Sequence, residues 1–226
     1  MKASGGPAGP AGAASDAAGF VLAGGASSRM GKDKSLALLA GKPLIEHSLA
    51  ILHKAGLVPA IAGARSSLES IAPVVPDPAP DLGPLGGVCA ALASTSARWA
   101  VFLSVDLPLI PASLIAHLLR HARITGAAVT LASASGFPQT FPAVIDRASL
   151  PGLSAELGAG RTGCFSAFQS ASAGLKSPPA ILPVEFLAQA GQAAHPAGLP
   201  AALWFLNVNT PADLERAGRL AASQFA

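Results

Sequence analysis

The glycine-rich stretch LAGGASSRMGKDK, residues 22–34, directly follows an apolar run and contains three glycines and four charged residues. Glycines let backbone N–H groups approach a ligand closely, and such groups at the end of a strand form a cradle for phosphate. The stretch therefore predicts a loop that binds an anion at the end of the first strand.

The spacing of this stretch excludes two well-known phosphate-binding loops. A Walker A loop needs four residues between its first glycine and its Gly-Lys pair, whereas five separate Gly25 from Gly31, and Asp33 follows Lys32. The dinucleotide fingerprint GxGxxG is absent because Gly24 and Gly25 are adjacent.

The elements that must position this loop alternate between short apolar runs and helical patterns. GFVLA and WAVFLSV are typical of buried strands, and KPLIEHSLAILHKAG predicts a helix. This alternation predicts an α/β fold with a mostly parallel sheet, in which ligands bind beyond the carboxyl ends of the strands. Asp106 follows one of these strands, where an unpaired carboxylate would be costly to desolvate. We also predict a short helix over 66–72, a late strand over LWFLNV and a loop excursion over 174–200.

The whole pattern LAGGxSxRMGxDK after a strand resembles the signature of the molybdenum cofactor guanylyltransferases, within the wider nucleotidyltransferase superfamily. Four other segments resemble further motifs of that family: VVPD with GPLGG, VDLPLIP, GRTG and FLNVNTPADL. The resemblance extends from Ala18 to about Ala221. It implies a three-layer α/β/α Rossmann-like nucleotidyltransferase fold with a mostly parallel central sheet.

The resemblance also implies a reaction. The family transfers GMP from GTP to the phosphate of molybdenum-molybdopterin by in-line attack on the α-phosphate, assisted by Mg²⁺, and releases pyrophosphate. Because both reactants are anionic, the protein is expected to act by alignment and by supplying positive charge. The expected partners are GTP, the molybdopterin cofactor and other proteins of cofactor synthesis or acceptor proteins, without nucleic acid or membrane.

The resemblance assigns roles residue by residue. The catalytic and nucleotide-binding residues that it implies are Arg29, Lys34, Asp106, Leu22, Ala23, Gly24, Gly25, Gly31 and Asp77. Asp106 is the implied metal ligand, and the residues implied for the acceptor substrate are Arg161, Asn207 and Asn209.

Two residues depart from the family's usual pattern, and two alternative functions remain open at this stage. Ala62 stands where the family often has Asn, and Thr140 stands where Pro is commoner. Gly25 favours GTP, since cytidylyl relatives tend to carry LAAG in place of LAGG. The alternatives are a related transferase that uses CTP or another phosphorylated acceptor, and a nucleotide-binding protein without turnover.

Several site residues also have structural interpretations. Asp106 is compatible with a helix cap, Asp77 with a turn before Pro78, and Arg161 with a surface charge. His117 and His121 lie four residues apart, but no third metal ligand is evident. Cys164 has no nearby His in sequence to activate it as a nucleophile.

Length, composition and charge limit which other classes of protein this chain can belong to. The 226 residues suit one domain, which we expect over 17–226 after a disordered tail over 1–16. The net charge of +3 and the lack of Tyr give little support to a nucleic-acid surface. Mean hydropathy is +0.50, but no apolar run approaches the roughly 20 residues of a membrane span. Two distant cysteines outside any CxxC motif indicate reduced thiols and a cytoplasmic protein.

Overall fold

The computed structural model describes residues 15–23, 34–63, 68–77, 79 and 82–222. The strands are β1 (Ala17–Leu22), β2 (Leu38–Leu39), β3 (Lys42–Pro43), β4 (Pro59–Ala62), β5 (Val74–Val75), β6 (Trp99–Ser104), β7 (Val129–Ala134), β8 (Phe137–Asp146) and β9 (Ala180–Pro183). The helices are α1 (Leu44–Lys54), α2 (Gly83–Ser94), α3 (Ala112–Thr125), α4 (Leu150–Gly158), α5 (Cys164–Gly174), α6 (Val184–Gln189) and α7 (Pro211–Ala222).

A seven-stranded sheet has the order β5-β4-β1-β6-β8-β7-β9, and β8 alone runs antiparallel to its neighbours. Strands β2 and β3 form a separate small hairpin. From β1 the chain moves outward to β4 and β5, and then returns to add β6 on the other side. The strand order thus reverses between β1 and β6, which is where open α/β sheets open a crevice for ligands.

Both faces of the sheet are covered, as the apolar strand β6 predicts. Trp99, Val101 and Leu103 of β6 belong to a core cluster shared with α1 and α3. Ala100 and Phe102 point the other way, into a second cluster shared with α2, α4 and α5. The predicted α/β/α arrangement with a mostly parallel sheet is therefore confirmed.

Glycine and proline mark helix boundaries where the sequence indicates them. Gly126 ends α3 with φ of 70°, a left-handed conformation that glycine adopts without steric cost. Pro84 lies in the first turn of α2, where its missing N–H group costs nothing. Among the described residues, no helix combines the length and the apolar character needed to cross a bilayer.

Three predicted elements are wrong or fall partly outside the described residues. LWFLNV is not a strand: residues 201–203 form a 3₁₀ turn, and Trp204 and Val208 are apolar because they fill the core. The excursion over 174–200 contains β9, which extends the sheet, and α6. Of the short helix predicted over 66–72, residue 68 is in a 3₁₀ conformation, 69–71 form a turn and 72 is a bend, while 66 and 67 lie outside the described residues, as do residues 1–14 of the predicted tail.

Candidate active site

The carboxyl ends of β1 and β6 lie side by side at one edge of the sheet. Leu22 pairs with Ser104 in the parallel register, and the Val105 amide donates a hydrogen bond to the Leu22 carbonyl at 3.2 Å. On the other side the Ala23 amide donates to the Ala62 carbonyl at 3.1 Å. The segments that follow β1 and β6 therefore leave the sheet at the same edge, where Ala23 and Asp106 both lie.

A cluster of three polar side chains forms at this edge. Lys34 Nζ lies 3.2 Å from Asp106 Oδ2 and donates a hydrogen bond to Asn209 Oδ1 at 2.6 Å. The side chains of Lys34 and Asp106 are only 16% and 22% exposed, so this ion pair is partly shielded from solvent. The Lys34 ammonium is thus held at a defined point between a carboxylate and an amide oxygen. We call these three residues the lysine cluster.

The segment 207–209 reaches the cluster through its backbone. The Val208 amide donates to the Asp106 carbonyl at 2.9 Å, and the Val208 side chain is buried in the core. Asn207 and Asn209 are exposed on either side of this anchor. Within the described part of the chain, the Asn207 side chain makes no hydrogen bond to the lysine cluster, so Asn209 alone of the pair joins it.

Asp213, which the sequence analysis did not single out, fixes the backbone that carries Asn209. Its Oδ2 accepts hydrogen bonds from the Asn209 amide (3.1 Å), the Thr210 amide (2.9 Å) and the Thr210 hydroxyl (2.8 Å). The bond from the Thr210 hydroxyl, followed by that from the Asn209 amide, lowers the pKa of Asp213. The spacing Thr-x-x-Asp at the start of α7 is a capping pattern that was readable from the sequence.

Asp77 lies at the same edge, after β5, which is two strands out from β1. It follows β5, whose Val75 carbonyl accepts a hydrogen bond from the Gly63 amide at 3.1 Å. Asp77 Oδ1 is buried and has no hydrogen-bond partner among the described residues, and burial raises the pKa of this carboxyl. A Cβ added to Gly87 would lie 3.2 Å from Leu22 Cδ2 and 3.5 Å from Asp77 Oδ1. The lack of a side chain at Gly87 therefore leaves room around an unsatisfied acceptor.

Arg161 lies apart from the lysine cluster, at the end of α4. Its guanidinium donates two hydrogen bonds to Glu156, at 2.5 and 2.9 Å, and the Ser170 hydroxyl donates a third at 2.8 Å. The hydrogen bond from Arg161 lowers the pKa of Glu156 to about 2, and the Ser170 hydroxyl adds to this effect. The structure therefore gives Arg161 a structural partner, and its role toward the acceptor substrate stays a prediction.

Replacing Glu156 with Gln is expected to lower stability in a way that depends on pH. Because the pKa of Glu156 falls from 4.5 to about 2 on folding, its stabilising effect is present above about pH 4.5 and disappears as the pH falls toward 2. Urea unfolding of both proteins across this range measures the difference. Glu215→Gln, which removes an exposed pair with Arg219, is the control and should show little change. A difference that does not vary with pH would contradict the pairing.

Other candidate residues are outside the cluster or outside the described residues. Gly24, Gly25, Arg29 and Gly31 lie in 24–33, which the structure does not describe, and Ala23 and Lys34 flank that segment. Burial raises the pKa of the Cys164 thiol to about 12, which opposes formation of a nucleophilic thiolate. Within the described part of the chain, no three His, Cys, Asp or Glu side chains group together as metal ligands.

The sequence pattern of the MobA-like NTP transferase domain matches residues 19–176, well over half of the chain. The chain belongs to this family. The match begins within β1 and includes Lys34, Asp77 and Asp106, so most of the site described above lies inside the family's domain. The family expected from the motifs is confirmed.

Two curated relatives and one solved structure agree with this assignment. A probable molybdenum cofactor guanylyltransferase of Haloferax mediterranei is 32% identical over 206 residues, which cover 87% of this chain and 90% of the relative. A molybdenum cofactor guanylyltransferase of Xanthomonas euvesicatoria is 45% identical over 103 residues, or 45% of this chain. The chain spans about half the length of this and other curated relatives that it matches.

The fold has a solved counterpart. The crystal structure of molybdopterin-guanine dinucleotide biosynthesis protein A from Archaeoglobus fulgidus superposes with a TM-score of 0.72 at 22% identity. The superposition covers 90% of this chain and 98% of the other. The central sheet and its helices therefore share the fold of that protein.

Proposed function

We propose that this protein transfers a GMP unit from GTP to the phosphate of molybdenum-molybdopterin and releases pyrophosphate. The observation that carries the proposal is the position of the Lys34 ammonium, held by Asp106 and Asn209 where β1 and β6 leave the sheet. Family membership and the names of the relatives support the choice of reaction. The motif LAGG in 22–25 supports GTP rather than CTP as the nucleotide substrate.

The chemical obstacle is repulsion between two anionic reactants. A lysine fixed near the attacked phosphorus supplies positive charge that need not be reorganised during the reaction. The partial shielding of the lysine cluster strengthens this effect, since a charge acts more strongly where less water surrounds it. Arg29 is the second cation in the proposal, from the segment 24–33 that precedes Lys34 and lies outside the described residues.

The residues present fit a divalent cation. Mg²⁺ usually takes one or two carboxylates together with phosphate oxygens, and Asp106 offers a partly exposed carboxylate next to the proposed phosphate site. Asp106 would hold the ion, which would neutralise charge on the phosphates when bound. In this proposal Asp77 Oδ1, which has no partner among the described residues, accepts a hydrogen bond from the nucleotide.

The acceptor substrate is assigned to the wall formed by 207–209. Asn209 is oriented by the cap at Asp213, and Asn207 projects from the same exposed segment. Delivery of the labile pterin by other proteins of cofactor synthesis is part of the proposal.

A pyrophosphate-release assay tests the reaction. With Mg²⁺, GTP and molybdopterin, the protein is expected to release pyrophosphate and to form molybdopterin guanine dinucleotide, whereas CTP should give little product. Faster turnover with CTP would assign the protein to the cytidylyl relatives. Binding of GTP in isothermal titration without any turnover would leave a nucleotide-binding protein.

Replacing Asp77 with Asn is expected to separate stability from binding. Without nucleotide the Tm should stay the same or rise, because the change removes a carboxylate whose charged form burial disfavours. Affinity for GTP should fall about tenfold or more, since a hydrogen bond to a charged group contributes about 1.5–3 kcal/mol. Thermal unfolding and GTP titration measure the two effects, with the exposed Glu69→Gln as control. A lower Tm with unchanged GTP affinity would show a purely structural role.

A further inference from the structure

A cavity of about 630 Å³ lies outside the lysine cluster. Its walls are α1, the segment Pro108–Ser113 that leads into α3, and the turn Ala194–Pro196, with Leu39 of β2 also contributing. Lys34, Asp77, Asp106 and Asn209 do not line it. The cavity is thus formed without the described residues assigned to the proposed reaction, and its volume is in the range of small-molecule sites.

His195 is the polar side chain that marks this cavity as a binding site. The residue is only 8% exposed, and its Nδ1 accepts a hydrogen bond from the Ala197 amide at 3.2 Å. Because Nδ1 accepts, the ring proton of the neutral imidazole lies on Nε2. Among the described residues Nε2 has no hydrogen-bond partner. His195 Nε2 is thereby left as a donor in the cavity wall for a ligand that accepts hydrogen bonds.

Two other polar side chains of the wall, His47 and Ser113, are already paired with the protein. His47 Nε2 donates a hydrogen bond to the Leu39 carbonyl at 2.7 Å. The Ser113 hydroxyl donates to the Ala194 carbonyl at 2.8 Å and accepts from the Ala194 amide at 3.0 Å. These bonds hold α1 and α3 against β2 and the 194–196 turn, so the walls are fixed while His195 Nε2 stays available.

The charges around the cavity favour an anion. Lys42 and Lys54 line it and form no salt bridge within the described part of the chain, while Glu46 is the single carboxylate of the lining. The first turn of α3 also lines it, through Ala112 and Ser113, and the start of a fourteen-residue helix carries partial positive charge. Ile51, Leu109 and Ile110 are among the apolar residues that complete the wall.

We propose that this cavity binds a small phosphate monoester with an apolar body. The phosphate accepts a hydrogen bond from His195 Nε2 and is paired electrostatically with Lys42 and Lys54, while the apolar body packs on Ile51 and the 108–111 segment. This ligand is not a reactant of the proposed nucleotidyl transfer, whose site is the lysine cluster.

Isothermal titration of the full chain with phenyl phosphate tests the proposal. Saturable binding is expected, with benzyl alcohol and inorganic phosphate each at least about tenfold weaker, since each lacks one half of the ligand. Lys34→Ala should bind phenyl phosphate as the unchanged protein does, because Lys34 does not line the cavity. Equal binding of inorganic phosphate, or loss of binding in Lys34→Ala, would overturn the proposal, as would the absence of binding to the unchanged protein.

Variants of the wall locate the site. His195→Phe and the double change Lys42→Gln with Lys54→Gln should each weaken binding about tenfold or more, and Lys176→Gln, outside the cavity, should leave it unchanged. Because His195→Phe alters a buried position, Ala50→Trp provides a second test. Ala50 is exposed and lines the cavity, so the indole should block it without disturbing the core. Unchanged affinity in Ala50→Trp, with a native circular dichroism spectrum, would overturn the proposal.

Discussion

Replacing Lys34 with Ala is expected to lower kcat/KM for GTP-dependent pyrophosphate release by at least about 10²-fold. The ammonium lies between Asp106 and Asn209, so no other described cation of the site can take its place without moving these two partners. A loss of 10² corresponds to about 2.7 kcal/mol of transition-state stabilisation. Steady-state kinetics at several GTP concentrations should show both a lower kcat and a higher KM.

Two further variants make the result specific. Lys34→Arg keeps the charge but not the compact ammonium, and it should retain more activity than Lys34→Ala. Lys176→Gln removes a lysine outside the lysine cluster and should retain full activity. The side chains of the Lys34–Asp106 pair are only 16% and 22% exposed, so its loss should cost more than the roughly 0–1 kcal/mol of a fully exposed pair, and activities should be compared at a temperature where both proteins are folded. A loss of activity below threefold in Lys34→Ala would mean that Lys34 contacts something other than the reacting phosphates.

Replacing Asp106 with Asn is expected to remove Mg²⁺-dependent turnover, with a loss of about 10³-fold or more. Asn keeps an oxygen that can accept the hydrogen bond from Lys34 Nζ, but it lacks the negative charge that a hard divalent cation requires. The Tm should therefore stay close to that of the unchanged protein or rise, while activity disappears.

Titration of activity with Mg²⁺ distinguishes metal binding from a structural role. In Asp106→Asn any residual activity should need a higher Mg²⁺ concentration, whereas Asp16→Asn, which removes the carboxylate paired with Arg123, should respond as the unchanged protein does. Full activity of Asp106→Asn at low Mg²⁺ would rule out Asp106 as the metal ligand. A large drop in Tm would instead assign Asp106 to the structural role of a cap or strand-end group.

Local patterns in the sequence determined the layers of the fold. Alternating apolar runs and helical periodicity depend on neighbours within a few residues, so β1, β6, α1 and α3 were each readable without knowing the fold. Continuous apolar character in β6 even indicated that both faces of the sheet are covered, as the two core clusters confirm. By contrast, LWFLNV was misread because its apolar residues fill the core from a turn, and apolar character alone does not specify strand pairing.

Only the tertiary structure brought the polar residues of the site together. Lys34 and Asn209 are 175 residues apart, and their contact depends on Val208 binding the Asp106 carbonyl at the end of β6. The motifs placed Lys34, Asp106 and Asn209 in one site by resemblance, but nothing local in the sequence indicated the distances between them. The Thr-x-x-Asp pattern predicts that Asp213 caps α7, but not that this cap orients a residue of the site. The cavity and the position of His195 in its wall could not be read from the sequence either, because the hydrogen bonds that a side chain makes depend on everything packed around it. Local periodicity is encoded in adjacent residues, whereas a site is created by long-range packing.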